Sequence, residues 1–261
     1  MYYSVHDARR SPMAVFAFFS GAGSNLLSVY NEEKRLEKIG ERIHGKIVAA
    51  VTNNPNCPGV QRVSETDIPF YAAIDSRKFY KERGKDIKDR KTRYEYDEKV
   101  IEILESNALF PDLIIGVGWW RIWSDMFVEY YKNRIVHDHP ADPFEYHGIY
   151  GIEVPREAIR RKATYMQPVV QFVTADGIDN GPVLVRSPPI EVLETDESQA
   201  DILWERTKAQ GDRRIFPYAV HQLFAKGRVG MGENGTVYID GKPVPKEGYE
   251  LCEEELRSAG L

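Results

Sequence analysis

Seven consecutive apolar residues, Met13-Ala-Val-Phe-Ala-Phe-Phe19, run without a polar break into Ser20-Gly-Ala-Gly-Ser-Asn25. A half-exposed strand alternates apolar and polar residues. A run that is apolar at every position reads instead as a strand covered on both faces. The glycines end it, and a helix is expected from about Leu26 to Ile39, with Gly40 at its C-terminal cap. Lys46 to Val51 is a second buried strand, ending in Thr52-Asn53-Asn54-Pro55. Tyr96, Val100, Ile103 and Leu104 have helical spacing, and Leu113 to Val117 is again a buried strand. Strands alternating with helices predict a Rossmann-like α/β class: a mostly parallel sheet flanked by helices. The first apolar run is cut by Gly21, and no other stretch approaches a membrane span.

After Pro140 the pattern changes. Pro168 to Thr174 and Pro182 to Arg186 are strands joined by a short Asp/Gly/Asn loop, so antiparallel strands are expected in the C-terminal half. Phe216, Ala219, Val220, Leu223 and Phe224 mark a late helix capped at Gly227, and Gly235 to Asp240 a small final strand. The expected organisation is an N-terminal extension over 1–12, one domain over 13–250 with halves at 13–140 and 141–250, and a C-terminal tail over 251–261. A net charge of −5 argues against nucleic-acid or anionic-membrane partners. Only Cys57 and Cys252 are present, which is no disulfide framework and fits a reducing cytoplasm. The segment 75–93 holds nine Lys/Arg and four Asp/Glu, and reads as a solvated insertion or as a basic flap over an anionic substrate.

The chemistry concentrates at Arg134-Ile-Val-His-Asp-His-Pro140. In an extended chain His137 and His139 share a face, and Pro140 ends the strand. Parallel sheets bind ligands just past the carboxyl ends of their strands. Three readings stay open for the pair: acid/base and oxyanion work, a metal site with Asp142 or His147 nearby, or a hydrogen-bonded core histidine. The Gly21–Asn25 loop is either a steric strand-to-helix turn or a phosphate cradle built on free N–H groups. Asp179, in the loop Thr174 to Pro182, is a turn former or a carboxylate partner for His139.

Five elements, in order, resemble the folate-dependent formyltransferases, most closely those acting on glycinamide ribonucleotide. They are Ser20-Gly-Ala-Gly-Ser-Asn-Leu26, Arg93-Tyr-Glu-Tyr-Asp97, Pro111 through Arg121-Ile-Trp123, Phe172-Val-Thr174 with Ile178-Asp-Asn-Gly-Pro-Val-Leu184, and Ile215-Phe-Pro217 through Met231-Gly-Glu-Asn-Gly235. The resemblance implies the formyltransferase fold and formyl transfer from 10-formyltetrahydrofolate to a primary amine, through attack on the formyl carbon and a tetrahedral oxyanion. It implies His139 and Asp179 as the catalytic pair. It gives backbone groups of Trp120, Arg121, Ile122, Trp123 and Ile178 as the folate site. Gly23, Ser24, Asn25, Arg93 and Asp212 would be the substrate site, with no metal. The implied partner is a phosphorylated small-molecule amine, and a homodimer remains open.

The chain also departs from that family. His137 stands where the family has an Asn that holds the developing oxyanion. Losing such a donor costs about 3–4 kcal/mol, on the order of 100- to 1000-fold in rate. A neutral imidazole still donates from one nitrogen, and two adjacent imidazoles resist double protonation. Pro140-Ala-Asp-Pro143, Gln171 and Asn180 also depart from the pattern, and all three point to the acceptor side. The rival readings are hydrolysis of formyltetrahydrofolate, metal-dependent hydrolysis, and a folate-binding homologue without activity.

Overall fold

The computed structural model describes residues 2–10 and 12–261; Met1 and Ser11 of the expected N-terminal extension lie outside the described residues. Fourteen strands are present among these residues. In chain order they are β1 (Tyr2–Ser4), β2 (Met13–Phe19), β3 (Gly45–Thr52), β4 (Phe70–Ala73), β5 (Leu113–Gly116), β6 (Ile135–His139) and β7 (Tyr165–Met166). There follow β8 (Val169–Phe172), β9 (Val183–Arg186), β10 (Ile190–Glu191), β11 (Val229–Gly232), β12 (Val237–Ile239), β13 (Lys242–Pro243) and β14 (Tyr249–Glu250).

Eight of them form the central sheet, in the order β14-β9-β8-β6-β5-β2-β3-β4. The run from β6 to β4 is parallel throughout. β8 then pairs antiparallel with both β6 and β9. The antiparallel half is therefore where the changed pattern after Pro140 places it. α1 (Ser24–Lys38) follows the glycine turn, and Gly40 takes a left-handed φ of 75° just past its end. α2 (Gly59–Ser64) follows β3, and α3 (Ser76–Glu82) and α4 (Arg90–Ser106) carry the charged segment. α5 (Asp125–Tyr130) and α6 (Glu153–Arg160) flank β6 in the chain.

Both faces of the sheet are covered, which is why β2 is apolar at every position. Val15, Ala17 and Phe19 pack with Leu26, Val29, Ile215, Phe216 and Val220 on one face. Phe16 and Phe18 pack with Tyr96, Val100, Ile114, Trp123 and Phe127 on the other. β6 follows the same alternation: Val136 belongs to the first cluster and Ile135 to the second. The chain ends are tied in. Residues 2–4 add an edge strand to a small antiparallel sheet with β11, β12 and β13, while Leu251 and Leu256 sit in the first cluster.

The late helix is not regular. α7 (Ala200–Thr207) passes into a π-helical turn over Lys208–Asp212, continues as α8 (Arg213–Tyr218), and widens again over Ala219–Phe224. Such turns carry i→i+5 bonds and push one residue out of the helical register. The first one directs Asp212 inward, and Gly211 lets it approach: a Cβ there would come within 2.5 Å of the Pro168 ring.

His221, in the second widened turn, is buried and sits 3.0 Å through Nε2 from the Val29 carbonyl. Burial pushes its pKa down to about 4. Below about pH 6.5 the unfolded chain takes up a proton that the fold excludes, so stability falls as pH falls. The loss from this group is about 2 kcal/mol at about pH 5. Thermal melts at the two pH values should show a drop that His221→Asn reduces. An identical drop in the variant would remove His221 as its source.

Candidate active site

β6 ends at the carboxyl edge of the parallel strands, and its alternation splits three polar residues between the two faces. His137 and His139 face one side and Asp138 the other. β8 aligns Gln171 with His137. The loop after β8 then folds back over this face. Asp179 Oδ1 lies 3.8 Å from His137 Nε2, and its Oδ2 lies 3.8 Å from His139 Nε2. These distances permit Coulombic attraction but exceed a direct hydrogen bond. Asp179 adopts a left-handed φ of 55°, which Asp tolerates better than most residues. The Gly148 N–H donates to its carboxylate at 3.2 Å, and the Gln171 amide donates at 3.4 Å.

The same Gln171 nitrogen lies 2.8 Å from His137 Nε2. Turning the amide over would set its oxygen against the Asp179 carboxylate, so the nitrogen is the group that faces both. His137 Nε2 therefore accepts, and the neutral ring carries its proton on Nδ1. Burial lowers the His137 pKa; Asp179 opposes that shift and His139 adds to it. His139 is buried, with Nδ1 2.7 Å from the Ala141 carbonyl and Nε2 3.2 Å from the Ile149 carbonyl. A carbonyl only accepts, so an imidazolium satisfies both contacts and the neutral ring one.

On the opposite face, Asp138 Oδ2 accepts from the Asn25 amide at 2.7 Å and Oδ1 from the Gly118 N–H at 3.2 Å. Asp212 reaches the same place from the late helix. Its pKa is raised well above the usual range by burial first and by Asp138 second. Gly23 precedes α1 with φ 71°, and no side chain caps the helix, so the first-turn N–H groups of Ser24 and Asn25 stay open to a ligand. Arg62 borders this loop, donating to the Ala22 carbonyl at 2.9 Å. The loop is joined to the turn after β5 by Ser20 N to Gly118 O at 3.0 Å and Trp120 N to Ser20 Oγ at 2.9 Å.

In that turn Trp123 is core: it stacks on Trp119 and Phe127. Trp120 is 73% exposed, and Ile122 is also exposed. The Arg121 guanidinium lies 4.0 Å from the Tyr96 ring centre. Ile178, next to Asp179, is exposed as well. Arg93 occupies the first turn of α4; burial holds the nearby Asp97 carboxyl above its usual range, and the Ser124 bonds, Arg121 and Arg93 oppose that shift. Asp97 in turn accepts from Ser124 N at 2.6 Å. In the charged segment, Lys78 pairs with Glu82, Arg83 with Glu95 and Arg90 with Asp125.

The formyl transferase family model matches residues 13–220. The chain belongs to that family. It is 28% identical to the phosphoribosylglycinamide formyltransferase of Escherichia coli, over 92% of this chain and 100% of the relative. It is 28% identical to the enzyme of the same name from Schizosaccharomyces pombe, over 82% of this chain and 99% of the relative. Its fold matches the phosphoribosylglycinamide formyltransferase of Coxiella burnetii with a TM-score of 0.71 at 23% identity, covering 92% and 100% of the two chains.

This formyltransferase is a folate-dependent one-carbon transferase whose formyl donor is 10-formyltetrahydrofolate. Features of the chain fit that donor. Trp120, Ile122 and Ile178 leave apolar surface uncovered beside the cleft, and the buried Thr174 hydroxyl has no partner. Among the described residues no cluster of three or more His, Cys, Asp or Glu has metal-binding geometry. Among them, too, no helix is long and apolar enough to cross a membrane.

The structure brings His137, His139 and Asp179 together, and it sets Asn25 against Asp138, with Asp212 close enough for the two carboxyl groups to interact. Sequence reasoning singled out neither Asp138 nor Arg62 as a site residue, and Gly148 and Ile149 went unnoticed. For Asp138 a signal existed: the residue between two same-face histidines must point to the other face. Nitrogen-15 NMR at about pH 7 should find His137 neutral with its proton on Nδ1, staying so below about pH 6.5, where a free imidazole is half protonated. An imidazolium signal for His137 at pH 7 would contradict the site's electrostatics.

Proposed function

We propose that the chain formylates the primary amine of a phosphorylated small molecule, with glycinamide ribonucleotide the first candidate. The observation that carries this reading is one carboxylate, Asp179, placed 3.8 Å from the Nε2 atoms of two histidines beside a strand-to-helix turn with free N–H groups. 10-Formyltetrahydrofolate supplies the electrophilic formyl carbon when bound. Gly23, Ser24 and Asn25 hold the acceptor's phosphate through backbone N–H groups and the positive end of α1. Arg62 adds a cation beside the loop. Asp212 holds a polar group of the acceptor, and Arg93 lies on the α4 side. Backbone groups from Trp120 to Trp123 and at Ile178 orient the donor.

His139 takes up and returns the proton of the reacting amine at Nε2. Asp179 stabilises the charged ring that results, as a carboxylate within Coulombic reach does. His137 stands in place of an amide donor: Nε2 faces Gln171 and Nδ1–H faces the Asp138 backbone, so Nδ1–H serves the negative charge growing on the formyl oxygen by exchanging that backbone contact. The length of chain shared with phosphoribosylglycinamide formyltransferases supports the acceptor assignment, as does the intact Gly-Ser-Asn loop.

Purified protein with 10-formyltetrahydrofolate and glycinamide ribonucleotide should release tetrahydrofolate, followed by absorbance, with none released when the amine is omitted. Release without amine would mean hydrolysis. His139→Ala and Asp179→Asn should each lower kcat by about 100- to 10,000-fold, with circular-dichroism melts showing an intact fold. Wild-type turnover in either variant would overturn the assignment of the pair.

A further inference from the structure

We propose that Gln171 is a positioning residue that reserves the Asp179 carboxylate for His139, by fixing which nitrogen of His137 carries its proton. This rests on the formyltransferase reading of the cleft and adds a residue to its working parts. Asp179 stands 3.8 Å from Nε2 of both rings, so distance alone gives it no preference between them. A carboxylate placed between two imidazoles favours a proton on either one. Charge engaged by His137 is then no longer free for the imidazolium that forms at His139.

Three features of Gln171 break the tie. It lies opposite His137 in the register of β6 and β8, so two departures from the family pattern form one contact. Its side-chain nitrogen is 2.8 Å from His137 Nε2 and 3.4 Å from Asp179 Oδ1. One NH2 group, with two hydrogens to give, thus faces the imidazole with one and the carboxylate with the other. A proton on His137 Nε2 would point at an N–H. Oδ2, which takes the Gly148 N–H, is the oxygen left facing His139. Last, the Gln171 side chain is 0% exposed and its oxygen has no partner. A buried amide oxygen without a donor is costly, so the orientation is set by what the nitrogen does. Burial lowers the His137 pKa and Asp179 opposes that shift, with His139 and Asp138 the other charged groups acting on the ring. The amide sides with burial, because only a ring without a proton on Nε2 can accept from it.

The test uses the whole protein, labelled with nitrogen-15 and free of substrate. NMR at about pH 7.5, above the pKa of a free imidazole, should show His137 protonated at Nδ1 alone. A scalar coupling across the N–H···N bond should link Gln171 Nε2 to His137 Nε2. Gln171→Met keeps the volume and removes both N–H groups. In that variant His137 Nε2 should pick up a proton and face Asp179. Its kcat should fall about 10- to 100-fold with KM changed by less than about threefold, because Asp179 is engaged before His139 takes up its proton. In a His137→Asn background the same Gln171→Met should cost less than about threefold further, because no second imidazole competes for Asp179.

A wild-type ring protonated at Nε2, or a Gln171→Met ring still protonated at Nδ1 alone, would overturn the proposal. So would a loss of equal size in both backgrounds, since a side chain that only fills space acts whatever stands at position 137. If Gln171→Met does not fold, the wild-type tautomer and coupling decide. Because these signals need no formyl transfer, they stand apart from the turnover assay. Transfer to glycinamide ribonucleotide with His137 protonated at Nε2 sinks the role of Gln171 alone. The Nδ1 tautomer without transfer sinks only the acceptor assignment.

Discussion

The antiparallel pairing of β6 with β8 is the interaction on which the cleft depends. Its register sets Gln171 opposite His137 and Val169 opposite His139. Gln171 can then bond the imidazole and the Asp179 carboxylate with one nitrogen. The connection to β9 must leave the sheet and return, and that excursion carries Asp179 back over the histidines. In a wholly parallel sheet β9 would follow β8 only through a crossover of a dozen or more residues. The switch from parallel to antiparallel pairing thus lets one short loop set Asp179 beside both histidines.

The two faces of β6 carry different electrostatics. On one, two imidazoles share a carboxylate, and burial disfavours placing a positive charge on His137. On the other, two carboxyl groups share an amide, and burial disfavours a negative charge on Asp212. Asp212 is held away from its ordinary ionised state at a cost to stability, which is common where a site is organised for a ligand rather than for the fold. The core is arranged to bear that cost. Apolar clusters cover both faces of the sheet up to the last turn of β6, and the polar residues begin where those clusters end.

Much of this was legible in the chain itself. The all-apolar run Met13–Phe19, the glycine turn and the helix after it follow from local steric and hydrophobic rules that need no long-range information. The change of pattern after Pro140 located the antiparallel half, and the pairing of His139 with Asp179 was reachable through the family motifs. The partners of Asp138 were not legible. Asn25 lies more than a hundred positions away, and a carboxylate between two histidines looks in sequence like a third member of their group. Nor was the inward placement of Asp212, because a π-helical turn shifts the register that a regular helix predicts. Of Trp119, Trp120 and Trp123, packing puts Trp123 in the core and leaves Trp120 exposed.

Residue order alone therefore determined the element types and the parallel-then-antiparallel sheet, and it singled out His137, His139 and Asp179, because each depends on periodicity or on a compact motif. Tertiary structure alone decided which polar groups meet. Gln171 with His137, Gly148 with Asp179, and Asn25 with Asp138 are contacts between segments far apart in the chain or on separate elements. Their geometry comes from strand register and from how closely a helix can approach a sheet, and neither is encoded at the positions that make the contact.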